Sequence, residues 1–141
     1  MENLNWSKPM SLAFIPAGKL VTFTALHQAA YTQYVQIIDS SGRPISFTTL
    51  TGQPAQFPIQ GQGTNVGFFE NGSGSFYMQD GLQIQFANSG GQESLVAVAN
   101  PTQFFINGQI FGGGTLMVTE DQGGTDYNDT SFCIEWYKFE G

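Results

Sequence analysis

The sequence predicts an all-β protein, a single-domain antiparallel β-sandwich of about nine or ten short strands. Apolar and polar residues alternate with period two in one segment after another. Aromatic residues make up 14% of the chain, and 18 glycines, with Asn, Asp and Ser, break it at short intervals. Alternation is the mark of half-buried strands, aromatic and β-branched residues suit a pleated surface, and the turn formers supply tight connections. Only 11% of the residues are charged, and long helical stretches of Ala, Glu, Lys and Leu are missing.

The elements follow in order. Leu20 to Leu26 and Tyr34 to Ile38 read as strands, and Asp39-Ser40-Ser41-Gly42 turns the chain into Ile45 to Thr48. The polar, Gln- and Gly-rich stretch from Pro54 to Gly63 reads as a loop. Asn71-Gly72-Ser73-Gly74 is expected to be the turn of a hairpin between Val66 to Phe69 and Phe76 to Met78. Leu82 to Phe86, Leu95 to Ala99, Phe104 to Ile106 and Thr115 to Thr119 continue the pattern, with Gly112-Gly113-Gly114 as a turn. The last strand, Thr130 to Tyr137, sets Phe132, Ile134 and Trp136 on one face. With no domain-length linker and no internal repeat, residues 1–141 form one domain, which at this length buries roughly 70% of its unfolded surface.

Charge narrows the partners. The net charge is −7, and Lys8, Lys19, Arg43 and Lys138 are scattered singly, so a row of phosphates has nothing to neutralise it. Nucleic acid and anionic membrane surfaces are excluded on those grounds. Met1 to Ser11 lacks a basic head followed by an apolar run, and no apolar segment nears the ~20 residues that span a bilayer. Synthesis is therefore expected to end in the cytosol; extracellular release by a non-classical route would leave no legible mark.

The acidic residues are concentrated instead. Glu120, Asp121, Asp126 and Asp129 fall in one segment between two strands, with Gly123, Gly124 and Asn128 among them. A hard cation such as Ca²⁺ takes six to eight oxygens, and glycines let backbone fold around it. Carboxylates this close repel one another unless a cation offsets them. The spacing is not that of an EF-hand. Asp, Asn and Gly also make solvated acidic turns, so the residue types admit both readings.

Two segments resemble a known family, the small calcium-mediated bacterial lectins that bind fucose and mannose. Asp126-Tyr127-Asn128-Asp129, then Ile134, Trp136 and Gly141, match that family's acidic loop and final strand. Ile15-Pro16-Ala17, Thr24-Ala25, Thr32-Gln33 and Val35 match near the N-terminus. The resemblance implies two side-by-side Ca²⁺ ions whose shells are completed by vicinal sugar hydroxyls. Glu120, Asp126, Asn128 and Asp129 would be the loop ligands. Gly141 would be a ligand donated across a dimer or tetramer by its terminal carboxylate. Gln28 and Ala29-Ala30-Tyr31 would face the sugar together with Asp126 and Asp129. The chain departs from the family at Gly124, where a further Asp ligand is expected, and at Gln28, where an Asn is. Ala29-Ala30-Tyr31 replaces a small Ser- and Gly-containing triplet, so Tyr31 either stacks on a sugar or narrows its site. Two extra residues precede Gly141. The apolar face of the last strand is expected in the subunit interface, with the tail reaching a neighbour's acidic loop.

Other residues carry ordinary structural readings. His27, the sole histidine, excludes a His-based zinc site and is expected to be structural. Cys133 lacks an adjacent base. Trp6 and the pair Phe104-Phe105 are expected in the core. A carboxylate glycosidase needs one protonated and one ionised carboxyl across a cleft, a purpose opposed to clustering around a cation. The sequence thus reads as a calcium-dependent lectin and not an enzyme. The competing reading is an interaction module of the same fold that has lost sugar binding.

Overall fold

A computed structural model describes residues 4–121 and 123–141 of the chain. Among these residues twelve strands run in chain order: β1 (Met10–Ser11), β2 (Leu20–Gln28), β3 (Gln33–Ile38), β4 (Ser46–Thr49), β5 (Pro54–Gln56) and β6 (Ile59–Gly61). Then come β7 (Val66–Tyr77), β8 (Gln83–Asn88), β9 (Leu95–Val98), β10 (Thr102–Ile106), β11 (Gln109–Glu120) and β12 (Thr130–Tyr137). They order as β1-β8-β3-β6-β7-β2-β12-β11-β10, with β4 and β5 set off beside β7, and β9 beside β11. Every pairing is antiparallel. The sheet folds over at the single β6–β7 pair Gln60–Glu70, so β1, β8, β3 and β6 face the remaining strands as a sandwich. Among the described residues no helix is long and apolar enough to cross a membrane.

Alternation builds the core. On β2, Val21, Phe23 and Ala25 point inward while Thr22 and Thr24 do not; β12, its neighbour, buries Phe132, Ile134 and Trp136 on the same side. Phe23 stacks on Phe132 with centroids 5.4 Å apart, and Phe86 of the facing layer meets Phe132 edge-on at 6.2 Å. Fully burying a side chain such as Phe132 contributes about 1.5–3 kcal/mol. This corrects the expectation that the last strand's apolar face lies between subunits. Those side chains fill the chain's own core, and β12 has β2 on one side and β11 on the other.

Two glycine clusters expected to be turns lie inside strands. Asn71 to Gly74 belongs to the unbroken β7, beside a register shift against β2 and with Asn71 at φ 51°. A side chain at Gly74 would sit 2.4 Å from the Thr48 carbonyl oxygen, so close backbone approach and a bulge, not a hairpin, require glycine. Likewise Gly112 to Gly114 lie in β11; a Cβ at Gly113 would meet the Trp136 indole nitrogen at 2.6 Å. The turn into β11 is instead Asn107-Gly108, both at positive φ, which suits a tight hairpin. The stretch Pro54 to Gly63, expected as a loop, contains β5 and β6. Phe104 and Phe105 are exposed, not core, because β10 extends where no facing layer covers it. Trp6 is half-buried and outside the main apolar cluster. His27 is buried against Phe69, as a structural residue would be.

Candidate metal and ligand site

The acidic segment spans the end of β11 and the start of β12, and backbone and side-chain hydrogen bonds close its base. The Asp129 amide donates to the Thr119 carbonyl at 3.1 Å, and the Thr130 amide to Thr119 Oγ1 at 3.1 Å. The Asp121 amide donates to Asp129 Oδ2 at 2.7 Å, while the Gln28 amide donates to the Asp129 carbonyl at 3.1 Å, fastening the end of β2 to the loop. Beneath it lies Gln33, fully buried. Its Nε2 donates to Asp121 Oδ2 at 2.9 Å and to the Tyr31 carbonyl at 3.1 Å, and its Oε1 accepts from Thr130 Oγ1 at 3.1 Å. One amide thus locks the Ala29-Ala30-Tyr31 segment to the acidic loop. Polar groups buried this deeply are costly unless satisfied, and this one is.

Above that floor the carboxylates crowd. Glu120, Asp126 and Asp129 each bring an oxygen within 4.8 Å of the others. Burial, with the charges of Asp121 and Glu120, pushes Asp129 up to about 7. A hydrogen bond with Glu120, then desolvation and Glu120's charge, raises Asp126, and burial raises Asp121 despite the bond from Gln33. The arrangement is electrostatically frustrated at neutral pH without a cation. Asn128, the residue before Asp129, has a buried Oδ1 with no hydrogen-bond partner among the described residues. Three carboxylates with an orphaned amide oxygen fit a hard divalent cation. Loop residue Gln122 lies outside the described residues.

Of the expected sugar-facing residues, the structure brings Gln28, Ala29 and Ala30 together, and Tyr31, Asp126 and Asp129 lie outside the same depression. Gln28, Ala29, Ala30 and Asn128 line one depression of about 330 Å³, together with Thr64, Asn65 and Val66. This last segment went unnoticed in the sequence. It docks because Gly63 has no side chain: a Cβ there would lie 2.3 Å from the Ala30 carbonyl oxygen. The Thr64 amide donates to the Ala29 carbonyl at 2.5 Å, with Thr64 held at φ 75°, a strained value for a β-branched residue. The signal that could have exposed it is the run Gly61-Gln62-Gly63-Thr64-Asn65, although its partner is more than thirty residues away. Tyr31 turns elsewhere. Its ring packs on Gly90, where an added Cβ would meet it at 2.9 Å.

Two further positions bear on the expected ligand set. A Cβ at Gly124 would lie 3.1 Å from both Glu120 carboxylate oxygens, so Glu120 fills the space that a side chain at 124 would take. Gly141 follows the far end of β12, where the Lys138 amide donates to Phe111 and the Phe139 ring meets that of Phe111. The acidic loop precedes the near end, eight strand residues away, a span of about 26 Å at ~3.3 Å per residue. The chain's own terminus is therefore not brought to its own acidic loop.

A β-sandwich that gathers three carboxylates beside a shallow polar depression suits a binding protein. The chain belongs to the fucose-binding lectin II (PA-IIL) family, a family of carbohydrate-binding lectins whose model matches residues 13–138. Among solved structures it is similar to the C-terminal domain of the BC2L-C lectin of Burkholderia cenocepacia. The identity there is 19%, over 86% of this chain and 90% of that one, with a TM-score of 0.65. It is also similar to the Chromobacterium violaceum lectin CV2L, solved with α-methyl-fucoside, at 22% identity, 86% and 91% coverage and a TM-score of 0.58. A high-affinity mannose-binding lectin of Ralstonia solanacearum shares 21% identity, with the same coverage and a TM-score of 0.59. No curated protein matches the chain by sequence.

Proposed function

We propose that this protein binds fucose- or mannose-class sugars through Ca²⁺ held by Glu120, Asp126, Asn128 and Asp129, and that it does so as a homo-oligomer. The observation that carries the reading is the buried Oδ1 of Asn128, without a hydrogen-bond partner among the described residues, in the same loop as three clustered carboxylates. An acidic turn open to solvent has no reason to bury an acceptor without a donor, because that costs about 1–3 kcal/mol. When bound, the ion would supply coordination positions for neutral sugar hydroxyls.

The chain's own residues set the rest. Gln33 holds the loop and the sugar-facing segment in one frame, and Ala29, Ala30, Thr64 and Asn65 shape the wall. Tyr31, the last residue of that segment, packs on Gly90. With Gly124 in place of a carboxylate, a second ion would have one fewer anionic ligand. Any carboxylate from Gly141 would have to be that of Gly141 of the partner subunit.

The test is calorimetric titration with calcium, then with methyl-fucoside and methyl-mannoside in calcium and in chelator, with Asp129→Asn as control. Calcium-dependent sugar binding that is lost in the variant is expected. Calcium binding with no sugar bound would favour the interaction module instead, and no calcium binding at all would leave an acidic turn.

A further inference from the structure

Between β2 and β3 the chain turns through Ala29-Ala30-Tyr31, and both alanines line the polar depression. An alanine has no side chain long enough to anchor itself, so the place of this turn against a ligand is set from outside. Gln33 and the close approach of Gly63 hold it on one side. A further support comes from the turn that follows β8. β3 and β8 pair as far as Gln33 opposite Asn88, and beyond that pair Thr32 and Ser89 continue the ladder. The Ser89 amide donates to the Thr32 carbonyl at 2.9 Å, and the Thr32 amide donates to Ser89 Oγ at 3.0 Å. One step further, the Tyr31 ring lies against Gly90.

That turn is itself braced. Asn88 is fully buried; its Oδ1 accepts from the Gly90 amide at 2.9 Å, and its Nδ2 donates to the Gln92 carbonyl and to Ser94 Oγ, each at 3.0 Å. Gly90 is glycine for space and not for backbone shape, because its φ is not positive. A Cβ there would stand 2.9 Å from Asn88 Oδ1 and 2.9 Å from the nearest Tyr31 ring carbon. Three hydrogen bonds lock Asn88, so the half-exposed Tyr31 ring is the neighbour that would yield. Gly91 is the opposite case, with φ 80° and open space around it. We propose that Asn88, Ser89 and Gly90 are positioning residues for ligand selectivity: they fix Tyr31, and through it the stand of Ala29 and Ala30 in the depression. Binding groups need such a supporting shell to hold them within about 0.5 Å of the productive geometry. The proposal rests on the carbohydrate reading.

The experiment measures calcium, methyl-fucoside and methyl-mannoside affinities by calorimetry, with melting temperatures, for the parent and four variants. These are Gly90→Ala, Gly91→Ala, Tyr31→Ala and the double variant Gly90→Ala with Tyr31→Ala. Gly90→Ala is expected to weaken sugar binding about tenfold, unequally for the two sugars, with calcium affinity unchanged. In the double variant the loss added by Gly90→Ala is expected to vanish, because the chain can move into the space the ring leaves. Gly91→Ala is expected to do the reverse, lowering the melting temperature through its positive φ while sugar affinity stays that of the parent. If Gly90→Ala fails to fold, Ser89→Ala decides, with an expected loss of about threefold in sugar affinity. Parent-like sugar affinity in the deciding variant, an undiminished added loss in the double variant, or an equal loss in Gly91→Ala would overturn the proposal. A parent that binds neither sugar is a failure of the lectin reading, and amide exchange then decides. The Thr64 amide, which donates to the Ala29 carbonyl, is expected to exchange about tenfold faster in Gly90→Ala than in the parent or in Gly91→Ala. Equal exchange in all three would overturn the positioning role.

Discussion

The acidic loop and the β9–β10 edge hang from the same strands and have opposite chemistry. At one end of β11 and β12, four carboxyl groups gather above a buried glutamine, held by hydrogen bonds from Gln33 on β3 and from the loop's own amides. Along β10 and the other end of β11 there is no charge, and large side chains stand in solvent. The loop invests polar groups in a fixed frame that suits an ion. The edge leaves backbone and apolar surface open to solvent. Both depart from what stability alone favours, one by crowding like charges and the other by leaving apolar surface wet, and such departures mark functional sites.

That contrast can be broken by substitutions graded in effect. The largest loss lies between the two regions: Phe132→Ala in the shared core should cost about 3–5 kcal/mol in denaturant unfolding. Calcium at a hundredfold excess over its Kd should stabilise the parent by about 2.7 kcal/mol, and Asp129→Asn should abolish the gain in thermal melts with and without chelator.

The pH dependence sharpens the same point. Because Asp129 titrates near 7 in the fold but near its ordinary value when unfolded, the native state binds more protons between those values. Stability in chelator should therefore fall as pH rises from about 4 to about 7. Calcium, which takes the deprotonated loop, should recover most at pH 8 and least at pH 5. Asp129→Asn should make this slope shallower, Asp121 and Asp126 still contributing, and should melt above the parent at pH 8 in chelator. Equal slopes in the two proteins would mean that the carboxylates are not in conflict.

Next in size, Gln33→Leu strands Asp121, Thr130 and the Tyr31 carbonyl, and should cost about 1–3 kcal/mol and weaken calcium binding. Smallest, Phe105→Ser on the edge should change the unfolding free energy of the monomer by less than about 0.5 kcal/mol. A large loss there would mean that the edge is part of the core.

How much of this was legible in the sequence differs by the range of the interaction. β2 and β12 follow directly from alternation, since a strand with one wet face writes its orientation residue by residue. The acidic loop is equally legible, because its carboxylates are neighbours in the chain. Glycine misled at 72–74 and 112–114, because a missing side chain signals either a turn or a close neighbour. Only the fold supplies the neighbours, the Thr48 carbonyl and the Trp136 ring. Phe104 and Phe105 were expected inside because size and apolarity argue for burial, but burial needs an opposing layer. Gln33 and the Gly63 to Val66 segment stayed hidden because their partners are distant in sequence.

That distance has a consequence for how the protein reaches its native state. The hydrogen bond between Thr130 and Gln33 joins residues 97 positions apart, and Gln33 to Asp121 spans 88. Every strand that frames the acidic loop, β2 and β3 on one side and β11 and β12 on the other, must be in register before the floor exists. Such non-local closure is slow, in the range of milliseconds to seconds for sandwich topologies. An ion cannot hasten it, because in the unfolded chain the loop lacks the frame that aims its oxygens. On the proposed reading calcium would arrive at a finished sheet and slow its opening, so amide exchange in the loop should follow global unfolding when calcium is bound and local fraying when it is not.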